Sequence, residues 1–299
     1  MGNYLLQSIF RKIVTIRSIG HEELGRNSVY YIPEYDVILK LYKDKRRWER
    51  EVASLTYLNG KKSIRVPCII NYGVFQERNY WILIEKLEGI NLSDVICDLD
   101  ESHRLDIHKE VGSLQAAFHK ECAMDVFGDW DINGNIVDVR ESYFLYAKEK
   151  NNKQAKKIIS KGYPDTKLFI TSAEKLSSLE YTIKDCNEKS LCHNDLTFRN
   201  ILVDNKYNCK IKGVIDFEKC YPSDPETDLT PMYLYIYMKK EMDYFLNGYT
   251  KVRTLSNTFD DKMKYYLIGF CLEVCSWSYN VNINYYHRAK EMLEYLINK

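Results

Sequence analysis

The stretch from Leu191 to Phe217 constrains this chain more than any other part of its sequence. It places Asp195 two residues after a histidine and Asn200 five residues after that aspartate, and Asp216 follows near its end. A polar loop therefore leads into apolar residues, and a second aspartate stands where those residues stop. This order predicts that three polar side chains, distant in sequence, meet at one end of a hairpin.

The hairpin itself is predicted from two short apolar runs. Residues 201–203 are Ile-Leu-Val and residues 214–215 are Val-Ile, which is typical of buried strands. A turn at residues 205–208 would join the two strands. The returning strand would then bring Asp216 back beside Asn200, although the two lie 16 positions apart.

These residue types suit the transfer of a phosphoryl group from a magnesium-bound nucleotide to a hydroxyl. That reaction asks the protein for positioning and charge stabilisation more than for covalent chemistry. A loop carboxylate such as Asp195 can orient the attacking hydroxyl and finally take its proton. Mg²⁺ takes only a few protein oxygens and completes its shell with phosphate and water. The sequence therefore predicts Asp195 as the catalytic base, with Asn200 and Asp216 as the metal ligands.

The same residues resemble a known family. The segments HNDLTFRN and VIDFE are similar to motifs of the aminoglycoside phosphotransferase and choline kinase family, which shares the protein-kinase-like fold. The resemblance implies a two-lobed α+β fold, with a β-rich N-lobe at residues 1–87 and a mainly helical C-lobe at residues 88–299. Glu218 stands where protein kinases have glycine, which favours the small-molecule kinases. The spacing from Asn200 to Asp216 is longer than is usual in the family. A longer turn would absorb it, whereas a shifted strand would displace Asp216.

A lysine inside a predicted strand adds to this pattern. Lys40 interrupts the apolar run 37–42, where a charge is costly unless it is paired. A helix is predicted from Arg46 to Leu58, and Glu51 sits beside its apolar stripe. The resemblance implies that Lys40 pairs with Glu51 and reaches the α and β phosphates of the nucleotide. The alternative is a lysine that snorkels at a strand edge and a solvated glutamate.

Two backbone segments are also expected to contact the nucleotide. The strand predicted from Tyr80 to Leu87 ends in a short polar segment, like the hinge of the family, so Glu85 and Leu87 are the candidate adenine contacts. Gly20 and Gly25 lie between two further predicted strands. That hairpin could cover the phosphates with backbone N–H groups. It lacks the glycine spacing of protein kinases, and an ordinary hairpin is the alternative.

Composition narrows the class of protein further. The chain has 299 residues, of which 45% are apolar, and its net charge is +1. The length and the apolar fraction allow a sizeable core. The small net charge gives no strong electrostatic attraction to nucleic acid or membranes. Its nine cysteines include no CxxC pair, and its N-terminus lacks a signal-peptide pattern, which favours free thiols in a reducing cytoplasm. No apolar run is long enough to span a bilayer. We expect a cytoplasmic monomer without nucleic-acid or membrane partners.

The acceptor molecule is the least defined part of the prediction. Acids outnumber lysines between positions 218 and 243, and they are Glu218, Asp224, Glu226, Asp228, Glu241 and Asp243. This acidic shelf would suit a polycationic aminoglycoside, with Glu218, Glu241 and Asp243 as candidate substrate residues. Helix capping and surface charge are the alternatives, and Asp228 is expected to hold the catalytic loop through its backbone or to cap a helix. A choline-type kinase would instead use an aromatic cage, which the abundant tyrosines leave open.

The sequence as a whole predicts a nucleotide-dependent O-phosphotransferase. It would use Mg²⁺ and either ATP or GTP to phosphorylate a hydroxyl of a small molecule, with an aminoglycoside favoured. A choline, amino-alcohol or sugar kinase would share every predicted site residue except those for the substrate. The alternative that is not an enzyme is a pseudokinase, which binds a ligand without catalysis. It is disfavoured because every polar position that catalysis needs carries the expected residue type.

Overall fold

Strands dominate the first part of the chain and helices the rest. The structure, a computed structural model, describes residues 7, 9–12, 14–20, 27–207, 209–237 and 239–298. The strands are β1 (Arg17–Ser18), β2 (Asn27–Ile32), β3 (Val37–Tyr42), β4 (Ile69–Phe75), β5 (Asn79–Glu85), β6 (Ile90–Asn91), β7 (Ser190–Cys192), β8 (Ile201–Val203), β9 (Ile211–Val214) and β10 (Tyr221–Ser223). The α-helices are α1 (Lys45–Leu58), α2 (Glu101–Glu121), α3 (Tyr143–Ile159), α4 (Thr166–Ser178), α5 (Thr230–Ile236), α6 (Glu241–Thr250), α7 (Phe259–Ser278) and α8 (Ile283–Ile297). This architecture confirms the predicted two-lobed α+β class.

A five-stranded antiparallel sheet forms the N-terminal lobe, in the order β1-β2-β3-β5-β4. Strand β3 lies in its centre, where Lys40 is flanked by Val29 of β2 and Ile82 of β5. A lysine in this position cannot reach water by a short path, so it needs a partner within the fold. The glycine hairpin predicted between β1 and β2 lies at residues 21–26, outside the described residues.

Helix α1 supplies that partner because its buried face carries one acid. The helix begins at an aspartate cap, where the Asp44 carboxylate accepts the N–H of Arg46 at 2.8 Å. Its buried side chains recur at helical spacing and are Trp48, Glu51, Val52, Ala53, Ser54, Leu55 and Leu58. Packing this face on the sheet carries Glu51 into the core together with the apolar residues.

Two helices of the C-lobe approach each other unusually closely. A Cβ built on Gly112 of α2 would lie 2.0 Å from the carbonyl oxygen of Phe245 in α6. One built on Gly248 of α6 would lie 1.9 Å from the carbonyl oxygen of Lys109 in α2. Only glycine permits this contact at either position, and α2 ends beside the catalytic loop as a result of it.

A small sheet of β6, β8 and β9 carries the predicted hairpin. The register of β8 and β9 shifts between Leu202 and Val203, so the ladder itself takes up an extra residue of β9, and a loop follows. Residue 208 of the predicted turn lies outside the described residues. The N–H of Ile215 donates to the carbonyl of Asn200 at 3.0 Å. The hairpin therefore returns to Asn200 as predicted, and the longer spacing does not displace Asp216.

One hydrophobic core runs through both lobes. It includes Trp48 and Ile82 from the N-lobe and Phe118, Phe217 and Leu272 from the C-lobe. The N-lobe sheet ends at Glu85, and β6 already pairs with the C-lobe strand β8, so the boundary at residue 87 stays a prediction.

Two expectations from composition can be compared with the structure. All nine cysteines are free thiols, as predicted. Within the described ranges, the search for an apolar helix long enough to cross a bilayer finds none. The cytoplasmic location and the monomeric state stay predictions.

Candidate active site

A cavity of about 920 Å³ opens between the sheet, the loop after β7 and the helices of the C-lobe. Eight of the residues singled out from the sequence line it, namely Lys40, Glu51, Glu85, Leu87, Asp195, Asn200, Asp216 and Glu218. The fold thus gathers side chains from both lobes around one space.

The ion pair predicted between Lys40 and Glu51 is present. The Lys40 Nζ lies 2.5 Å from a Glu51 oxygen and 2.8 Å from the Asp216 Oδ1, and the Lys40 and Glu51 side chains are 7% and 1% exposed. Burial alone would lower the pKa of Lys40, but the carboxylates of Asp216 and Glu51 outweigh it and raise that pKa above its ordinary value. The Tyr42 hydroxyl also donates to Glu51. Lys40 is therefore a fixed cation at the floor of the cavity.

Asp216 stands where the chain leaves β9. Its φ is +71°, in the left-handed region that residues other than glycine rarely adopt. Burial acts to raise the pKa of its carboxyl, but Lys40 overcomes this and lowers the pKa to about 2. Asp216 is therefore an ionised carboxylate near neutral pH. The strain of its left-handed backbone conformation is common at functional sites.

The loop that carries Asp195 is held from below by a buried aspartate. Asp228 accepts the N–H of His193 at 3.0 Å and also that of Asn194. His119 lies 2.9 Å from Asp228 and 2.9 Å from the Tyr249 hydroxyl, which keeps that carboxylate in place. Of the two roles predicted for Asp228, the structure therefore shows the one in which it holds the loop through its backbone.

Asp195 and Asn200 are joined within the same loop. The Asn200 side-chain nitrogen donates to the Asp195 carbonyl at 2.8 Å, and the Lys219 Nζ lies 3.0 Å from the Asp195 carboxylate. Because Asn200 uses its nitrogen and Asp216 uses only Oδ1 toward Lys40, each side chain keeps an oxygen for a hard cation. Two such oxygens lining one cavity fit Mg²⁺, which asks for few protein ligands.

Glu218 faces the N-lobe and not the acceptor end of the cavity. It contacts Arg47 of α1 and Asn27 of β2. Oxygens of Glu51, Asp216 and Glu218 lie within 4.8 Å of one another. Burial and the neighbouring Asp216 raise the pKa of Glu218 to about 7. Its place beside Lys40 argues for a part in organising the phosphate end of the site.

The predicted hinge lies at the mouth of the cavity. The N–H of Glu85 donates to the carbonyl of Cys68 at 2.9 Å, so a nucleotide base could meet only its carbonyl. Its side chain pairs with Arg65. Leu87 lines the cavity two residues further on. Base recognition by Glu85 and Leu87 stays a prediction.

Apart from Glu218, the acids of the predicted shelf do not line the described cavity, which corrects the placement of Glu241 and Asp243. Glu241 binds Arg104 at 3.0 Å, and Asp243 is exposed in the first turn of α6, where a negative charge suits the helix dipole. Asp224 and Glu226 bind Lys262 in the core at 2.7 and 2.8 Å. These acids are neutralised or capping groups, and from the shelf only Glu218 reaches the described cavity.

The structure also brings in residues that the sequence did not single out. Aromatic side chains from four helices and one strand line the C-lobe side of the cavity, namely Tyr146, Tyr221, Tyr235, Trp277 and Tyr285. Each lies on a different element, so no local pattern could have assembled them. Arg199 lies inside the motif itself, between Asp195 and Asn200, and its charge was the signal that could have identified it.

An ion pair connects α1 with the C-lobe at the edge of the cavity. The Arg50 guanidinium binds Asp129 through two nitrogens, at 2.9 and 2.6 Å, and lies 4.7 Å from the Tyr221 ring. Asp129 is 4% exposed. The pair fixes the helix that carries Glu51 relative to the C-lobe.

The site and fold match known proteins. A family model described as the phosphotransferase enzyme family matches residues 20–253. A thermostable mutant of aminoglycoside phosphotransferase APH(4)-Ia, solved with AMP-PNP and hygromycin B, is similar with a TM-score of 0.74 and 16% identity, covering 99% of this chain and 98% of that chain. APH(2″)-IIIa, solved with GDP and kanamycin, is similar with a TM-score of 0.72 and 17% identity, covering 98% and 97%. The TM-scores and the coverage establish a shared fold, and identities this low establish no more than that. A comparison with curated proteins finds no match.

Proposed function

Because the chain belongs to the phosphotransferase enzyme family, we propose that it transfers the γ-phosphoryl group of a nucleotide to a hydroxyl of a small molecule. The observation that carries this proposal is a single cavity that is lined by both Asp195 and the Lys40–Asp216 pair. A general base and a fixed cation with a carboxylate beside it are the parts that phosphoryl transfer needs.

The proposed reaction is an in-line displacement. The acceptor hydroxyl forms a bond to the γ-phosphorus as the bond to the bridging oxygen breaks, and the nucleoside diphosphate leaves. Asp195 orients the hydroxyl and takes its proton, and Lys219, 3.0 Å away, holds the carboxylate in position. Lys40, fixed by Glu51, places its charge against the phosphates.

Magnesium is the cofactor that the site fits. Asn200 and Asp216 would hold it, each through the oxygen that its present hydrogen bond does not use. The ion would neutralise charge on the phosphates. ATP and GTP are both candidate donors, since the similar structures were solved with adenine and with guanine nucleotides.

Aminoglycosides are the acceptors that the sequence favours and that the similar structures contain. The placement of Glu241 and Asp243 outside the cavity removes part of the support for this class. Choline, amino alcohols and sugars are the remaining acceptors on the same machinery. A pseudokinase is disfavoured because the positions for base, metal and phosphate are all filled within one cavity.

The test is nucleotide turnover by the full chain with Mg²⁺ and ATP or GTP, against aminoglycosides, choline and simple sugars. Replacing the base in Asp195→Ala should lower turnover by about 10²–10⁴-fold while nucleotide binding stays nearly intact. Asp243→Asn, an exposed acid outside the cavity, is the matched control and should keep turnover. Near-normal turnover in Asp195→Ala would refute the assignment. Nucleotide binding by the wild type without turnover of any acceptor would favour the pseudokinase.

A further inference from the structure

Arg199 is a cation of the cavity that forms no direct ion pair within the described residues, although the carboxylates of Asp195 and Asp216 attract it from further away. It lies on the turn between Asp195 and Asn200 and lines the cavity. Its Nε is buried and has no hydrogen-bond partner among the described residues. The guanidinium carbon lies 5.7 Å from the ring of Tyr285 instead. Since a half-buried unpaired charge is costly, a fold that keeps one beside its catalytic base offers it to a ligand.

Two of the other acids that line the C-lobe side of the cavity are already paired. Asp195 binds Lys219 at 3.0 Å. Glu273 lies 3.4 Å from Lys150, on the facing helices α7 and α3. On this side of the described cavity, Arg199 is thus a cation outside any ion pair, with Asp94 as an exposed acid on the neighbouring turn. A polycationic molecule would face Arg199 and would also have to displace a lysine from Asp195 and from Glu273.

The wall next to Arg199 is aromatic. Tyr235 of α5, Trp277 of α7 and Tyr285 of α8 are half-buried and line the cavity, and the rings of Trp277 and Tyr285 lie 5.7 Å apart. At this distance the two rings contact each other and form one aromatic surface, on which a flat or apolar ring can pack and leave water. The wall and the guanidinium are adjacent, so one molecule can use both.

Resting on the phosphotransferase function proposed above, we propose that the acceptor is a hydroxylated small molecule with a flat apolar ring and an anionic group, and that Arg199 binds the anion. Guanidinium presents a planar fork of donors that matches a carboxylate or a phosphate. The donor's own phosphates are the other possible source of an anion. Arg199 sits against Tyr285 of α8 and is also close enough to Asp216 to feel its charge, so the experiment has to distinguish the two sources.

The experiment uses three probes that share a ring and a hydroxyl and differ in charge. They are 4-(hydroxymethyl)benzoate, 4-(hydroxymethyl)benzamide and 4-(aminomethyl)benzyl alcohol. Their affinities for the full chain, saturated with Mg²⁺ and AMP-PNP, are measured by isothermal titration calorimetry. The benzoate should bind at least about tenfold more tightly than the amide, as for a charge-assisted hydrogen bond, and the amine should bind most weakly.

Two substitutions test Arg199 itself. Arg199→Gln should abolish the preference for the benzoate, and Arg199→Lys should keep part of it, which separates charge recognition from a folding defect. The matched control is Arg288→Gln, because Arg288 lies 4.5 Å from the Tyr235 ring, is exposed and does not line the cavity. That control should keep the wild-type ranking of the three probes.

Several results would overturn the inference. They are binding of none of the probes, equal binding of all three, a preference for the amine, or a benzoate preference that survives in Arg199→Gln. Weaker AMP-PNP binding in Arg199→Gln with the probe ranking intact would assign Arg199 to the donor and also overturn it. A wild type that turns over nucleotide but prefers the amine would leave the phosphotransferase function standing. If the wild type binds no nucleotide, both the phosphotransferase function and the proposed role of Arg199 are refuted.

Discussion

Glu218 shows how a single buried carboxyl group makes stability depend on pH. It is 7% exposed, and burial together with Asp216 raises its pKa to about 7. In the unfolded chain a glutamate has a pKa of about 4.3. Because the folded-state value is higher, the protonated group stabilises the folded protein at low pH, and this stabilisation is lost as the pH rises through about 7.

The corresponding variant is Glu218→Gln, which keeps the shape of the side chain and cannot ionise. From about pH 5 to about pH 8, the unfolding free energy of the wild type should fall relative to this variant, by as much as ~3 kcal/mol. Urea denaturation at several pH values measures it. Asp216, with a pKa near 2, does not titrate in this window. Glu88→Gln, at an exposed position, is the control. A difference between wild type and Glu218→Gln that does not change with pH would contradict the prediction.

At the scale of elements, helix α1 is placed by contacts along its two sides. Its apolar face packs on the sheet, and Arg47 and Arg50 reach across to Glu218 and Asp129 of the C-lobe. The position of Glu51, and through it that of Lys40, depends on both sets of contacts. In the ion pair between Arg50 and Asp129, the aspartate is buried. Removing one partner leaves the charge of the other uncompensated.

Asp129→Asn should therefore weaken nucleotide binding although Asp129 does not line the cavity. We expect an affinity loss of about tenfold and a loss of about 3 kcal/mol in the free energy of unfolding, as for a broken buried pair. Titration calorimetry with Mg²⁺ and AMP-PNP and urea denaturation measure the two effects. Asp125→Asn, four residues earlier and exposed, is the matched control. Unchanged nucleotide affinity in Asp129→Asn would show that the ion pair does not position α1.

At the scale of the whole molecule, the two lobes share one hydrophobic core. Trp48 and Ile82 of the N-lobe belong to the same cluster as Phe217 and Leu272 of the C-lobe. Main-chain bonds cross between the lobes as well, since the N–H of Val214 donates to the carbonyl of Arg65 at 2.9 Å. A core that crosses the boundary couples the unfolding of the two parts.

We expect the full chain to unfold in a single transition. Calorimetry, tryptophan fluorescence and far-UV circular dichroism should give coincident curves, because the larger of the two hydrophobic clusters spans both lobes. AMP-PNP with Mg²⁺ at about one hundred times its dissociation constant should stabilise the whole molecule by about 2.7 kcal/mol. Two separate transitions, or a ligand shift confined to one of them, would contradict a shared core.

The sequence by itself determined the parts of the site that depend on local order. Asp195 and Asn200 lie on one loop, and a hairpin of apolar strands returns Asp216 to them, so spacing and strand pattern suffice to predict their meeting. The pair of Lys40 and Glu51 was predicted from the family resemblance, because the sequence pattern by itself also allowed a lysine that snorkels at a strand edge.

Only the tertiary structure decided which charges face the acceptor. Glu241 binds Arg104 of α2, 137 positions away, and Asp129 binds Arg50 of α1 across the two lobes. The aromatic wall is likewise assembled from residues of separate helices, and Arg199 lacks an acid because of what surrounds it. The physical reason is that the packing of the helices determines which side chains come into contact. A sequence records each charge, whereas the fold alone determines whether that charge is neutralised nearby or left for a ligand.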